Sequence, residues 1–295
     1  MLHVIITILG LACAGAGGEL FVRGVVRFAR WLRLPTAIIG ATVAAFATSS
    51  PELTVAIGAA ASGAPQISFG DVLGSNVVNI TLVLALGLVL SAHGLIQDAS
   101  GRNAWFALLA PIATGFMVLD RVVSRFEGLL LITGFALWLW ATIREALRGS
   151  GEAIDEPSRS LRQSGLGEGI IGLVLLIAAG RLVVLGAKGI ATALGMDEFI
   201  VGATFVAIGT SVPELATIII AGRRGHVEIG LGMMLGSNIF NTLLIVGLVA
   251  LIAPIPVARL EVLPALVWGV LSVAVVLPSR RERVGRARAI PLFAI

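Results

Sequence analysis

The chain has 295 residues, 57% of them hydrophobic and only 13% charged, with 36 glycines and a mean hydropathy of +1.01. A water-soluble domain carries about 25% charged residues, so this composition excludes a soluble fold: too few polar side chains exist to cover a wetted surface. The formal charge of +4 does not indicate nucleic acid, because the basic residues sit in short stretches between apolar runs, where they act as topology signals.

Apolar runs near the ~20 residues needed to cross a bilayer as helix recur along the chain. They are continuously apolar and not alternating, which favours helices over a barrel. The first predicted helix covers 3–22. Only His3 precedes its apolar run, with no cationic region, so it reads as a mature helix and not a signal peptide. Cys13 lies in this run; as the single cysteine it forms neither an intrachain disulfide nor a thiolate cluster. Further helices are predicted at 36–61, 69–91, 103–119 and 127–147. A polar stretch at 148–166, rich in Gly, Ser, Glu and Arg, is the candidate linker. Four more helices follow at 167–187, 198–221, 229–253 and 260–277.

Two passages match at a constant offset of 162 residues: Glu52 to Glu214, Ser75 to Ser237, Asn79 to Asn241. A chance match of apolar sequence would not hold one register across Ser, Pro, Glu and Asn. The chain therefore reads as two homologous halves, 1–147 and 167–295, joined by a cytoplasmic linker at 148–166. Five helices per half force the second half to enter the membrane inverted. With the N-terminus outside, Arg102 and the arginines at 23–33, 144–162, 223–224 and 280–288 fall on the cytoplasmic side. Only Arg121, Arg125, Lys188 and Arg259 fall outside, as the positive-inside rule requires. Adding the offset to residue 127 starts a tenth helix near 289, and the chain stops at Ile295, so that helix is expected to be incomplete. The expected fold is an all-α polytopic membrane protein of two inverted five-helix repeats.

Each half carries Ser/Thr-rich residues before Pro-Glu in an apolar helix: Thr48-Ser49-Ser50-Pro51-Glu52 and Thr210-Ser211-Val212-Pro213-Glu214. Each is followed by Gly-Ser-Asn-x-x-Asn in the next helix, at Gly74–Asn79 and Gly236–Asn241. A carboxylate at mid-membrane costs about 2.5–3.5 kcal/mol even on insertion scales, and no Lys or Arg lies near either Glu in its helix. A cation from solution is the natural partner. Proline breaks the backbone ladder, so carbonyls near Ala45–Thr48 and Ala207–Thr210 can turn toward an ion. Two carboxylates, hydroxyl clusters, Asn amides and carbonyls suit calcium, which takes six to eight oxygens at ~2.3–2.6 Å; without His or Cys a soft-metal site is disfavoured. Alone, Pro51 and Pro213 would read as simple kinks, and Ser75 and Ser237 as helix-packing residues. Asn79 and Asn241 alone would read as interhelical glue. It is their duplication around a Glu that points to a site. Glu19 and Arg181 are also equivalent positions, but inversion places them near opposite faces, so they should snorkel and not pair.

These motifs closely resemble the alpha repeats of the cation/calcium exchanger superfamily, above all its sodium/calcium exchangers and prokaryotic relatives, over roughly 36–91 and 198–253. The resemblance implies ten helices with a pseudo-two-fold axis in the membrane plane. It implies ion sites among helices 2, 3, 7 and 8, and alternating access by sliding of helices 1 and 6. It makes Glu52 and Glu214 the shared calcium ligands, with the Thr48 and Thr210 carbonyls completing the shell. Ala45 (carbonyl), Thr48, Ser49 and Ser75 resemble one sodium site; Ala207 (carbonyl), Thr210, Ser211 and Ser237 resemble its mate; Asn79 and Asn241 resemble the middle pair. The chain departs from the family pattern in three places. Asn241 stands where potassium-dependent relatives have Asp. Ala47 replaces a usual Gly. Asp71 replaces a usual Asn, with Met233 as its counterpart.

The expected function is secondary antiport of Ca2+ for Na+ by alternating access. The alternative is a proton-coupled calcium or other divalent antiporter, disfavoured because relatives of that kind tend to carry Gly-Asn-Ala-x-Glu. An intramembrane enzyme would need a nucleophile with a base, or His ligands, and no such motif is present. A channel is disfavoured because two buried acids form too deep a well. No cofactor is expected. The partners are Ca2+, Na+ and the bilayer, without nucleic acid; oligomeric state is open, and a monomer would serve. One lysine beside many arginines fits a GC-rich prokaryote, hence the cytoplasmic (inner) membrane.

Overall fold

The computed structural model describes residues 2–32, 34, 36–61, 63, 65–90, 101–149, 159–193, 211–277 and 286–294. The chain is an all-α membrane protein. Helix α1 is Leu2–Leu32. Helix α2 covers 36–48, with Thr36–Ile39 and Ala45–Thr48 flanking a π-helical turn at Gly40–Ala44. Helix α3 is Ser50–Ala61. Helix α4 covers 65–90 as Pro65–Val78, a π segment Asn79–Leu84 and Ala85–Leu90. Helices α5 (Gly101–Met117) and α6 (Arg125–Gly149) complete the first half. In the second half come α7 (Arg159–Ala193), α8 (Val212–Arg223) and α9 over 227–252 (Val227–Ile239, π segment Phe240–Ile245, Val246–Ile252). Helix α10 is Arg259–Val276 and α11 is Ala289–Ala294.

The repeat is visible in these bounds. Adding 162 to α3 reproduces α8, and adding it to α4 reproduces α9, including a π segment that opens at or beside Asn79 and Asn241. The helix expected near 289 begins at Ala289. Helix α7 begins at Arg159, inside the stretch read as linker.

Helix α1 runs ten residues past its predicted end. Its 31 residues make a rod of about 46 Å, longer than the ~30 Å hydrocarbon layer. The arginines at 23, 27 and 30 thus ride on helix and not in a loop; long aliphatic stems let the charges reach the interface, and no proline interrupts Leu2–Leu32.

Six helical stretches among the described residues are long and apolar enough to cross a membrane. They differ in burial. The Ile229–Ile252 window is 78% buried, against 22% for Arg125–Glu145, so α9 is a central helix and α6 a lipid-facing one. The outer surface carries Trp105, Phe116, Leu129, Trp140 and Ile170, while Ser, Thr, Asn and Glu are buried. This inside-out pattern suits a chain whose solvent is hydrocarbon.

Helices α1 and α7 pack antiparallel along their length. A Cβ at Gly24 would overlap the backbone of Gly169, and one at Gly17 would lie 3.0 Å from the Gly172 carbonyl. Small residues of this kind let membrane helices touch backbone to backbone. Arg27 pairs with Glu168 across the same interface at 2.6 Å. Glu19 does not snorkel alone as expected. It accepts from Arg23 at 2.7 Å in its own helix and pairs with Arg224 just past α8, because the close approach of α1 to α8 brings a guanidinium within reach.

A two-stranded antiparallel ribbon, β1 (Val122–Val123) with β2 (Ile255–Pro256), ties the α5–α6 turn to the α9–α10 turn. The Val257 N–H extends it by donating to the Arg121 carbonyl at 2.7 Å.

Candidate ion-binding site

The two Pro-Glu motifs produce the same break twice. Ser49 has φ −86° and ψ 7°, and Ser211 has φ −85° and ψ 3°, in the sparsely used bridge region. A new helix then starts, with proline in its first turn, where a missing N–H costs nothing. Glu52 and Glu214 consequently sit in the first turns of α3 and α8, where the positive end of each helix dipole favours a carboxylate. This was missed in reading the proline only as a source of free carbonyls. The first-half carbonyls are in fact partly engaged. Ala47 accepts from Ser50 Oγ at 2.8 Å, Ala45 from the Ser49 N–H at 3.0 Å, and Ala44 from Thr48 Oγ1 at 3.1 Å. The Ala45 carbonyl also lies 3.4 Å from Thr48 Oγ1.

Helices α2 and α9 approach closely enough to bring the halves together. A Cβ at Gly40 would lie 2.9 Å from the Ile229 carbonyl, and one at Gly236 would overlap the backbone of Ala41. Thr48, Ser49, Glu52, Ser75 and Asn79 then meet Ser211, Glu214, Ser237 and Asn241 in the interior, each at most 2% exposed. Ala45 is buried beside them. Thr210 and Ala207 lie outside the described residues.

The hydrogen bonding of this group is unusual. Among the described residues, nine buried oxygens of this group have no hydrogen-bond partner: Oγ of Ser49, Ser75, Ser211 and Ser237, Oδ1 of Asn79 and Asn241, Oε2 of Glu52, and both carboxylate oxygens of Glu214. Each buried polar atom left unpaired costs about 1–3 kcal/mol, and native proteins tolerate only a few. The Thr48 hydroxyl faces Glu214 and lies 3.1 Å from the Ala44 carbonyl and 3.4 Å from that of Ala45. Glu52 and Glu214 are close enough to feel one another's charge, and Asp71 is felt at Glu52 too. Among the described residues no three His, Cys, Asp or Glu side chains cluster; the donor set is two acids supplemented by hydroxyls and amides. Hard neutral and anionic oxygens gathered with no Lys or Arg in the group among the described residues are chemically suited to binding Na+ or Ca2+.

Four asparagines orient the amide oxygens. Asn79 Nδ2 donates to Asn238 Oδ1 at 3.3 Å, and its repeat mate Asn241 Nδ2 donates to Asn76 Oδ1 at 3.2 Å. Asn238 Nδ2 donates to the Asn76 carbonyl at 3.0 Å, and Asn76 Nδ2 to Thr242 Oγ1 at 2.7 Å. With their nitrogens occupied, Asn79 and Asn241 present their oxygens outward from the network. Asn76, Asn238 and Thr242 were not singled out from sequence. The available signal was the i, i+3 spacing of the paired asparagines, which puts both on one helix face.

A model of the family described as sodium/calcium exchanger protein matches residues 2–144 and 165–295. An uncharacterized membrane protein of Methanocaldococcus jannaschii is 33% identical over 98% of this chain and 93% of its own length. The sodium/calcium exchanger MaX1 of Methanosarcina acetivorans is 29% identical over 88% of this chain and 85% of its own. Among solved structures, the sodium-calcium exchanger NCX_Mj, soaked with Na+ and Sr2+, superposes with a TM-score of 0.85 at 30% identity, covering 99% of this chain and 96% of that one.

Proposed function

Because this chain belongs to the sodium/calcium exchanger protein family, we propose that it is a secondary antiporter exchanging Ca2+ for Na+ across the membrane by alternating access. The observation that carries the reading is the set of nine oxygens unpartnered among the described residues, drawn from both repeats and buried in the protein interior. Glu52 and Glu214 together neutralise one divalent ion. The hydroxyls of Ser49, Ser75, Ser211 and Ser237, the Asn79 and Asn241 oxygens, and the backbone carbonyls of Ala45, Thr48, Ala207 and Thr210 complete shells for calcium or for sodium. Because both ions need the same two carboxylates, they compete, and binding of one expels the other. No resident cofactor is needed. The long glycine-lined pairing of α1 with α7 supports a two-helix unit that moves as one body. The arginine distribution supports an N-terminus outside a prokaryotic cytoplasmic membrane.

The test is radioactive calcium uptake into sodium-loaded proteoliposomes diluted into sodium- and potassium-free buffer, beside Glu52→Gln and Glu214→Gln. Uptake that requires internal sodium and disappears in both variants is expected. Uptake driven by a pH gradient and indifferent to sodium would replace sodium by the proton; none under either gradient would remove the calcium assignment.

A further inference from the structure

The two halves are not chemically equivalent at one position. On α4, Asp71, Ser75 and Asn79 stand at i, i+4 and i+8, one helix face, with about 6 Å of rise between successive members. Asp71 Oδ2, Ser75 Oγ and Asn79 Oδ1 are each buried and, among the described residues, without a hydrogen-bond partner. The face is thus a ladder of three bare oxygens. On α9 the equivalent ladder is Met233, Ser237 and Asn241, and its first rung is a fully buried thioether, a soft group with little affinity for Na+ or Ca2+.

The acidic rung lies at the ribbon end of α4. Beneath the β1–β2 ribbon is a space of about 600 Å3, lined in part by Gln66, Gly70, Leu73, Gly74 and Arg121. It marks the ribbon end of α4, and the α4 residues that line it stand on a different flank of the helix from Asp71, Ser75 and Asn79. Asp71 lies in the second turn of α4 at this end and is only partly buried, and it is near enough to Glu52 for its charge to be felt there. Arg121 at the cavity leaves a positive charge that would repel entering cations; Asp71 opposes it.

We propose that Asp71 is a further cation subsite, present in the first repeat only, at which hard cations stop on the ribbon side of Ser75 and Glu52. The inference rests on the antiport reading above, and it adds an asymmetry: entry from the ribbon face is electrostatically assisted, entry from the opposite face is not. The consequence is a lower calcium KM at one membrane face.

The experiment compares right-side-out and inside-out vesicles bearing wild type, Asp71→Asn and Asp71→Glu. D71N is expected to raise the calcium KM by about three- to tenfold at one face, the effect of one charge a helical turn away in a wetted passage. The maximal rate and the KM at the other face stay unchanged, and D71E keeps the wild-type values. An equal shift at both faces, or no shift, overturns the proposal. Should D71N fail to insert, Asp71→Ser replaces it. Should wild type show no sodium-dependent calcium uptake, the antiport reading fails by itself, and equilibrium dialysis with radioactive calcium decides this one. The Glu52→Gln/Glu214→Gln protein is expected to retain weak binding that D71N abolishes; binding that D71N leaves unchanged refutes the subsite.

Discussion

Replacing Asn76 by alanine isolates the role of the asparagine network without touching a proposed ligand. The substitution removes two hydrogen bonds, to Thr242 at 2.7 Å and from Asn241 at 3.2 Å. It leaves the backbone carbonyl that holds Asn238, and therefore the Asn238–Asn79 contact. Thr242 can re-bond to a carbonyl one turn back, so its loss is small. The Asn241 amide has no such recourse: one net bond of about 1 kcal/mol is lost and a buried donor costs about 1–3 kcal/mol more. Stability should fall by about 2–4 kcal/mol. Freed from Asn76, the Asn241 amide no longer holds its oxygen toward the ions, and about 1.4 kcal/mol of lost orientation corresponds to tenfold in KM. The assay is calcium uptake over a concentration series, with thermal unfolding measured in detergent. Asn76→Asp keeps the acceptor for Asn241 and should preserve its orientation, separating geometry from packing. If N76A has a wild-type KM while Asn241→Ala does not, orientation through Asn76 is refuted.

Other consequences follow from the same structure. Glu52→Gln and Glu214→Gln each leave a divalent ion facing one carboxylate, and sodium-driven calcium uptake should fall at least about a hundredfold, since truncating a buried charge pair costs about 3–5 kcal/mol. Gly24→Leu drives a side chain into the Gly169 backbone; overpacking of about 1–3 kcal/mol or more should lower the unfolding temperature and separate α1 from α7, measurable as a loss of cross-linking between cysteines placed on the two helices. Arg224→Gln removes a pair whose members are 37% and 32% exposed, so screening limits the stability change to under about 1 kcal/mol; a larger drop in thermal stability would contradict that assignment.

Much of the architecture was legible before any coordinates. A register of 162 residues held across Ser, Pro, Glu and Asn can arise only from duplication, and apolar runs of membrane-crossing length leave helices as the form that satisfies the backbone. The same duplication singled out Glu52 and Glu214, because an unpaired acid in hydrocarbon is expensive. What sequence spacing did not convey was how the two halves face one another. The pairing of Asn79 with Asn238 and of Asn241 with Asn76 joins residues about half a chain apart. Glu19 found Arg224 because α1 packs beside α8, a contact no local pattern encodes. The extent of α1 and α7 was also underestimated, since arginine reads as loop when burial is unknown, although its long stem lets a helix carry it to the interface. Local chemistry thus determined which residues the chain must shelter from lipid, because transfer costs belong to single side chains. The tertiary structure decided which of their atoms are paired and which are left bare, because hydrogen-bond partners across helices depend on the distance and rotation of whole elements.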